Sequence, residues 1–341
     1  MATKIDPSIE EVLPLTDTFR EEEISVDALR VDTDEDKDCE RKFDQFFYDF
    51  PEELKGKCDR SQVKAAYKNA KQLRILVTGK TGSGKSTLIN GILGVAVAKV
   101  GNKISEACTT EVTAYNLRKW NVDMIIWDSP GLQDGTDNED YLQQIKEMCQ
   151  ERDLTMYCID VRQTRLISGS SNQDIVAMKK LNETFGPEFW NNTVIVLTFF
   201  NSFANDEQII GLPSAEKKAA VGAKLQEWKN QIVHILTHDV NIHQQVAEKI
   251  IIVPAGYYSK PHLPICNYWL SSLWFHCLAA ISTKEGQIAL YKANFHRMKN
   301  NTQVQKEDFE KNIEDQPILK ERSLWQMLVV GAKFGDWCSI F

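Results

Sequence analysis

The stretch of this chain that decides its fold is LRILVTGKTGSGKST, which runs from Leu73 to Thr87. Its first six residues form an apolar run with the length and composition of a buried β-strand. The run leads directly into GKTGSGKS, which matches the pattern G-x-x-x-x-G-K-[ST] in full. A strand, a glycine-rich turn and a helix in this order are typical of a loop that binds phosphate groups.

The residue types of this loop suit the terminal phosphates of a nucleotide. Its glycines let the backbone turn so that successive N–H groups point inward, and a helix that begins near Lys85 adds its positive end. We predict that Lys85 contacts the β- and γ-phosphates and that the Ser86 hydroxyl ligates Mg²⁺. The predicted contacts of the loop are Gly79, Lys80, Thr81, Gly82, Ser83, Gly84, Lys85, Ser86 and Thr87. A chance glycine-rich turn is the alternative, and the flanking strand and helix argue against it.

A second motif, MIIWDSPG, follows about forty residues later. Its apolar strand ends at Asp128, which is predicted to hold Mg²⁺ through water, and the Gly131 N–H is predicted to meet the γ-phosphate. ATPases usually carry a second carboxylate immediately after this aspartate, whereas Ser129 follows here. The motif therefore favours a GTPase over a kinase or a transporter ATPase.

The segment CTTEV, residues 108–112, lies between the two motifs. A threonine in a loop just before the second strand is where a GTPase senses the γ-phosphate through Mg²⁺. Thr110 is the first candidate for this magnesium ligand and Thr109 is the second. The alternative is an ordinary threonine-rich strand entry.

Short apolar runs predict six strands, and helical periodicity predicts the segments between and after them. Strands are expected at Leu73–Thr78, Val112–Leu117, Met124–Trp127, Thr155–Val161, Thr193–Phe199 and Lys249–Val253. Helices are expected at Lys85–Leu93, Tyr141–Cys149, Asn172–Thr184, Ala215–Leu236, Tyr268–Ile281 and Glu285–Met298. This alternation predicts a three-layer α/β fold of the P-loop NTPase type, a G domain with a mainly parallel six-stranded sheet. The short connection between the second and third strands predicts an antiparallel hairpin, because a parallel pair needs a longer crossover.

Charge and composition divide the 341 residues into three predicted parts. Residues 1–60 hold nineteen acidic and nine basic residues, a net of −10, so the whole-chain charge of −8 leaves +2 for the rest. We predict an acidic, disordered or loosely helical arm at 1–60, with an aromatic segment from Phe43 to Phe50 that docks on the body. The G domain is predicted at 61–265 and a helical C-terminal extension at 266–341.

The same composition bears on partners and location. The absence of a basic patch argues against a nucleic-acid partner. The eight cysteines are scattered as singles without a C-x-x-C pair, which argues against a zinc ribbon and favours free thiols in a reducing cytosol. The N-terminus lacks a signal-peptide pattern, and no apolar run approaches the ~20 residues of a membrane span. The predicted location is cytoplasmic.

Residues 72–260 resemble the septin-like GTPases, and most of all the AIG-type (GIMAP-type) and Toc GTPases. The resemblance rests on GKTGSGKSTLINGILG, on WDSPGLQDG and on the order of the strands. It implies that the chain binds GTP or GDP with Mg²⁺, hydrolyses GTP to GDP and phosphate, and forms a nucleotide-dependent homodimer.

Two departures from GTPase patterns concern hydrolysis and the base. Small GTPases place a water-orienting Gln directly after the D-x-x-G glycine, and this chain has Leu132 there, which predicts slow hydrolysis by a monomer. Gln133 follows, and its side chain is expected to point elsewhere. The resemblance implies that an arginine after the fourth strand reaches the partner's nucleotide. Arg165 is the first candidate and Arg162 the second, and a surface arginine in a solvated loop is the alternative.

The place of the guanine-reading N-K-x-D motif reads LTFFN, residues 197–201, and holds no aspartate. Phe199 is a candidate to stack on the base and Asn201 to bond its edge. The loop after the last strand, with Ala255 and Gly256, is a candidate to offer a backbone N–H to the guanine oxygen. Guanine preference therefore follows mainly from the resemblance.

The last four residues, CSIF at 338–341, fit the C-a-a-X prenylation pattern. Prenylation of Cys338 would make the protein a peripheral membrane protein, although one prenyl chain anchors only marginally. A tail that folds back with Cys338 unmodified is the alternative.

Taken together, these residues predict a slow GTPase that acts as a dimerisation or membrane-recruitment switch. Two alternatives stay open. One is a scaffold that binds GTP with negligible hydrolysis, which Leu132 permits. The other is a P-loop ATPase or small-molecule kinase, which the incomplete base motif permits.

Overall fold

The computed structural model of the protein describes residues 40–44, 47–48, 60–93, 98, 111–119, 122–132, 138–162, 172–257, 262–266 and 269–299. All structural statements below concern these residues.

Six strands form one sheet. They are β1 (Gln72–Thr78), β2 (Thr113–Lys119), β3 (Val122–Asp128), β4 (Leu154–Asp160), β5 (Thr193–Thr198) and β6 (Ile251–Pro254). Their order across the sheet is β2-β3-β1-β4-β5-β6. The β2–β3 pair is antiparallel, with Ala114 opposite Trp127, and every other neighbouring pair is parallel. The predicted six-stranded, mainly parallel sheet and its hairpin are confirmed. β6 begins two residues later than expected, because Lys249 and Ile250 belong to the turn before it.

The central strands are buried along their whole length. Every residue of β4 (LTMYCID) and of β5 (TVIVLT) is buried. A parallel strand covered by helices on both faces requires a continuous apolar run instead of an alternating one. This explains why these strands are recognisable in the sequence as unbroken apolar segments.

Nine α-helices are described. They are α1 (Arg60–Asn69), α2 (Lys85–Leu93), α3 (Asn138–Met148), α4 (Gln173–Phe185), α5 (Glu207–Ile210), α6 (Ser214–His238), α7 (Gln244–Ala247), α8 (Trp269–Ala280) and α9 (Lys284–Lys299). Two 3₁₀ segments, Pro187–Asn192 and Phe200–Asn205, flank β5. All six predicted helices are present, each within a few residues of its expected bounds.

Residues 40–44 form a short helical segment that contacts α1. Phe43 is buried and meets Tyr67 edge-on, with ring centroids 5.5 Å apart. The Arg60 guanidinium lies over the Phe43 ring and pairs with Asp44 at 2.5 Å. The described part of the predicted aromatic segment thus packs on the body of the protein.

The helices α8 and α9 pack against the sheet, α8 beside β5 and β6 and α9 beside β1, β3 and α1. Trp269 and Trp274 of α8 are fully buried and belong to the same hydrophobic core as the strands. The core is therefore continuous across residue 265. The predicted boundary between the G domain and the helical extension at that residue stays a prediction. None of the described helices has the length and apolar character needed to cross a membrane.

Candidate nucleotide-binding site

The glycine-rich loop joins the end of β1 to the start of α2 at the carboxyl edge of the sheet. Gly79 and Gly84 have positive φ angles of 142° and 86°. A Cβ on Gly79 would lie 2.5 Å from the Cys158 carbonyl oxygen, and one on Gly84 would lie 2.8 Å from the Phe199 ring. Both positions therefore require glycine for conformation and for space.

The loop presents backbone donors at the first turn of α2. The first helical hydrogen bond runs from the Leu88 N–H to the Gly84 carbonyl oxygen, at 2.8 Å. The N–H groups of residues 85–87 have no acceptor within the helix, as at every helix start. The Ser83 hydroxyl is also buried in the loop, with no hydrogen-bond partner among the described residues. This set of donors fits a phosphate group.

Lys85 is a buried cation of the loop. Its ammonium donates to the carbonyl oxygens of Gly79 at 3.3 Å and Lys80 at 3.1 Å. Burial lowers the pKa of Lys85, and the nearby carboxylates of Asp128 and Asp174 partly oppose that shift. A desolvated ammonium at this point gains most from an anion that enters the loop.

A hydroxyl and a carboxylate meet beside the loop. The Ser86 hydroxyl donates to Oδ2 of Asp128 at 2.8 Å, and Asp128 is buried at the end of β3. The parallel pairing of β1 with β3 brings the two residues together from 42 positions apart. Two hard oxygen donors at this distance fit a divalent cation such as Mg²⁺.

The segment after Asp128 lies directly on the loop. The Leu132 N–H donates to the Gly79 carbonyl oxygen at 3.2 Å. A Cβ on Gly131 would lie 2.1 Å from the Thr81 hydroxyl oxygen and 2.6 Å from the Thr81 nitrogen, so only glycine fits there. The Leu132 side chain is buried in the hydrophobic core. The structure therefore brings the two motifs into contact.

An ion pair that the sequence did not reveal ties the loop to α4. The Lys80 ammonium lies 3.0 Å from Oδ2 of Asp174, which is fully buried in the first turn of α4. The Lys80 side chain thus faces Asp174, which leaves its backbone as the part that could contact a phosphate. An acidic residue in a first helical turn is common, so the sequence held no specific signal for this pair.

The ends of β4 and β5 contact the other side of the loop. The Thr198 hydroxyl donates to the Ser83 carbonyl oxygen at 2.7 Å. The next residue, Phe199, has a left-handed backbone with φ 58° and places its ring against Gly84 and, at 5.1 Å between centroids, against Tyr257. The predicted base-side position of Phe199 thus lies next to the loop.

Arg162, the second candidate for an arginine acting on a partner, is held within its own chain. It donates to Asp160 through its backbone N–H and its side chain, and to the Tyr257 hydroxyl at 2.9 Å. Asp160 holds the pKa of Arg162 above its usual value through these hydrogen bonds. A guanidinium engaged in this way is not extended toward a second molecule.

Asn201 and the loop after β6 are bonded to each other. Oδ1 of Asn201 accepts from the Tyr257 N–H at 3.2 Å. The Ala255 N–H donates to the Leu197 carbonyl oxygen at 2.8 Å, as a continuation of the sheet. Because the Ala255 N–H is already hydrogen-bonded within the sheet, Gly256 is the remaining candidate in this loop to donate to the base.

Comparison with known proteins agrees with this geometry. The model of the AIG1 family matches residues 73–235. These residues are therefore similar to the AIG1 family. The match covers the glycine-rich loop, Asp128, Gly131 and Phe199, and it ends before β6.

Two proteins are similar to parts of this chain. The chain is 28% identical over 164 residues to Translocase of chloroplast 33, chloroplastic, of Arabidopsis thaliana, covering 47% of this chain and 53% of that protein. It is 24% identical over 195 residues to GTP-binding protein A of Dictyostelium discoideum, covering 57% of this chain and 40% of that protein. The chain therefore spans about half or less of the length of these relatives.

A solved structure of chloroplast translocon components, described as atToc33 and psToc159, shares the fold of this chain. It is 21% identical, has a TM-score of 0.51, and covers 72% of this chain and 93% of that one. For those components, dimerisation is important for the GTPase activity.

Several predicted positions lie outside the described residues. They are Thr109, Thr110, Gln133, Arg165 and residues 338–341. Their predicted roles at the nucleotide-binding site stay predictions.

Proposed function

We propose that this chain is a GTPase that binds GTP with Mg²⁺ and hydrolyses it slowly to GDP and phosphate. The observation that carries the proposal is the meeting of three parts at one edge of the sheet. The glycine-rich loop, the buried Lys85 and the Ser86–Asp128 pair are in contact there. The AIG1 match and the relative described as a GTP-binding protein support guanine as the base.

Each residue of the site has a proposed role. The backbone N–H groups of the loop hold the phosphate oxygens, and Lys85 adds a positive charge between the β- and γ-phosphates. Ser86, Asp128 and Thr110 hold Mg²⁺, which neutralises charge on the phosphate oxygens when it is bound. The Gly131 N–H meets the γ-phosphate, which couples the nucleotide to the segment that lies on Thr81. Asn201 and Gly256 contact the base.

Slow hydrolysis follows from the residue after Gly131. Leu132 is buried in the core and carries no group that could orient a water molecule. We propose that hydrolysis is faster in a nucleotide-dependent homodimer, in which Arg165 of one chain stabilises charge on the partner's nucleotide. The dimerisation described for the chloroplast components of similar fold supports this proposal.

Location and domain limits are part of the same proposal. The chain is proposed to be cytoplasmic, with peripheral membrane attachment through prenylation of Cys338. Its proposed parts are the acidic arm at 1–60, the G domain at 61–265 and the helical extension at 266–341. The helices α8 and α9 belong to the extension and pack on the core of the G domain.

Nucleotide binding is tested by competition of GTP against ATP for the purified full-length chain in the presence of Mg²⁺. GTP is expected to compete strongly and ATP weakly. The Lys85→Ala variant should lose affinity by about ten- to a hundredfold, because it removes a charge-assisted contact with phosphate. Preference for ATP would favour the ATPase or kinase alternative. An unchanged affinity in Lys85→Ala would refute the site itself.

Hydrolysis is tested by release of phosphate in single turnovers at rising protein concentration. A rate constant that increases with concentration is expected, since two chains would complete the site. Phosphate release that stays at the uncatalysed level at all concentrations would favour the GTP-binding scaffold, which the buried Leu132 permits.

A further inference from the structure

The ends of three neighbouring strands place an arginine-centred cluster beside the glycine-rich loop. Asp160 ends β4, Phe199 follows β5 and Tyr257 follows β6. Phe199 links the cluster to the loop, because its ring lies 2.8 Å from the position that a Cβ on Gly84 would take. Arg162 lies at the centre of this cluster, and the function proposed above gives it no role in nucleotide binding.

The Arg162 guanidinium is fixed in its plane by three hydrogen bonds, and the Arg162 backbone N–H adds a fourth bond, to Asp160. Oδ1 of Asp160 accepts from the Arg162 backbone N–H at 2.8 Å and from Nε at 3.0 Å, and Oδ2 accepts from Nη2 at 2.9 Å. Nη1 donates to the Tyr257 hydroxyl at 2.9 Å. Bonds from three different nitrogens of one planar fork leave it little freedom to rotate.

One face of the fixed guanidinium is covered by an aromatic ring. Cζ of Arg162 lies 3.6 Å from the centroid of the Phe199 ring, a stacking distance. The Arg162 side chain nevertheless remains 38% exposed, whereas Asp160 is fully buried. A guanidinium is weakly hydrated on its faces, so the exposed part of this planar group favours a second flat group.

A simpler reading is that Arg162 only neutralises the buried Asp160. Neutralisation requires a positive charge near the carboxylate, and it does not require a stack on Phe199 or a bond to Tyr257. The additional contacts orient the plane of the group, and they do so next to the loop and on the side where the chain lacks the aspartate of N-K-x-D. Orientation of a flat surface is what a stacked ligand needs.

We propose that the Arg162 guanidinium, held flat on Phe199 by Asp160 and Tyr257, is the platform on which the purine base of the bound nucleotide stacks. This inference rests on the proposed binding of a nucleotide at the glycine-rich loop. It assigns to Arg162 a positioning contact with the face of the base, while the edge of the base is left to other groups. Because a face contact does not distinguish purines, Arg162 should support guanine and hypoxanthine nucleotides equally.

The test uses the full-length chain with Mg²⁺ and measures dissociation constants for GDP and IDP by calorimetry. The variants are Arg162→Ala, Arg162→Lys and the double variant Asp160→Asn/Arg162→Ala. Arg118→Ala is the matched control, since Arg118 is an exposed arginine paired with Asp123 on the β2–β3 hairpin. Thermal unfolding of each variant reports whether the fold is retained.

Arg162→Ala and Arg162→Lys should each weaken both nucleotides by about tenfold, the effect of losing one base stack. Arg162→Lys keeps the positive charge but lacks the planar guanidinium. An equal loss of affinity in both variants would therefore identify stacking. The double variant removes the unpaired buried carboxylate and should recover thermal stability without recovering affinity. Arg118→Ala should bind both nucleotides as the wild type does.

Wild-type affinity in Arg162→Lys or in the double variant would overturn the platform, because Arg162 would then act only as a charge partner of Asp160. Wild-type affinity in all Arg162 variants would overturn it as well, provided that the wild type binds GDP and Lys85→Ala does not. A wild-type chain that fails to bind GDP would instead refute the proposed function, so the two failures are distinguishable.

Discussion

Individual glycines of the site are required by specific neighbours. Gly84 has a φ of 86° and faces the Phe199 ring, whereas Gly131 faces the Thr81 backbone. By contrast, a Cβ on Gly222, within α6, would meet only Ile265, at 4.0 Å. The same residue type is therefore essential at the loop and dispensable in a helix.

This contrast gives a paired prediction at the residue scale. Gly84→Ala should lower the free energy of unfolding by about 2 to 5 kcal/mol, because it adds both backbone strain and a clash with Phe199. Gly222→Ala should raise it by about 0.5 to 1 kcal/mol, since alanine stabilises a helix interior. Urea unfolding of both variants checks this, and a Gly84→Ala variant as stable as the wild type would contradict the loop geometry.

A second prediction at this scale concerns the predicted metal ligand. Asp128→Asn should raise the Mg²⁺ concentration needed for tight GDP binding by about 10- to 100-fold, the usual cost of losing a group that orients metal-bound water. Titration of GDP affinity against Mg²⁺ measures the effect. Asp123→Asn, on the exposed side of the same strand, is the control and should titrate as the wild type does.

Among the elements, α9 is fastened to α1 by a buried lysine. The Lys292 ammonium donates to the carbonyl oxygens of Tyr67 at 3.1 Å and Ala70 at 3.0 Å, at the end of α1. It also lies 4.3 Å from the centroid of the Tyr67 ring. A lysine at a helix C-terminus satisfies carbonyls that have no partner within the helix. This contact joins segments that are more than 220 residues apart.

We therefore expect Lys292→Met to destabilise the fold by about 1 to 3 kcal/mol, because two buried carbonyl oxygens lose their donor. Lys224→Met is the matched control, since Lys224 forms only an exposed pair with Glu227 and its loss should change stability by less than about 0.5 kcal/mol. Equal effects in urea unfolding would show that the Lys292 contacts do not stabilise the α1–α9 packing.

At the scale of the whole molecule, α8 and α9 complete the core of the sheet. The indole rings of Trp269 and Trp274 are fully buried beside strands from the other half of the chain. A chain that ends at residue 265 should therefore fail to unfold cooperatively, because the faces of β5 and β6 would be exposed. A chain that ends at residue 299 should retain cooperative unfolding, measured by circular dichroism.

The buried His276 of α8 gives the fold a predicted dependence on pH. Burial lowers the pKa of His276 to about 4, below its value of 6.5 in an unfolded chain. The unfolded state therefore binds a proton first, so stability is fully present above pH 6.5 and is lost as the pH falls toward 4. The loss attributable to this group is about 3 kcal/mol at pH 4.

His276→Gln should remove this part of the pH dependence, because glutamine does not titrate. The measurement compares the free energies of unfolding of the two proteins between pH 7 and pH 4. A difference between them that stays constant over this range would contradict the buried, neutral state of His276.

Much of the fold could be predicted because its signals are local. β4 and β5 are apolar runs as long as the strands that they form, and α2 directly follows the glycine pattern that precedes it. The Ser86–Asp128 contact was also within reach, since both residues end motifs whose strands are neighbours in a parallel sheet.

The contacts around the base side could not be predicted in this way. The Lys80–Asp174 pair and the Arg162–Tyr257 bond join residues about 95 positions apart, and no spacing in the sequence marks them. Arg162 was recognised only as a candidate to act on a second chain, although its bonds lie within its own chain. Ala255 was a candidate donor to the base, and its N–H proved to be part of the sheet.

The amino-acid sequence by itself determined the strands, the helices and the glycine-rich loop, because hydrophobic periodicity and glycine conformation act over a few neighbouring residues. The tertiary structure alone decided which distant polar groups meet, since Arg162 with Tyr257 and Asp174 with Lys80 come into contact only after strands and helices have packed. Burial makes the pairing of charged groups necessary, because the cost of leaving a carboxylate or an ammonium unpaired arises only where water is excluded.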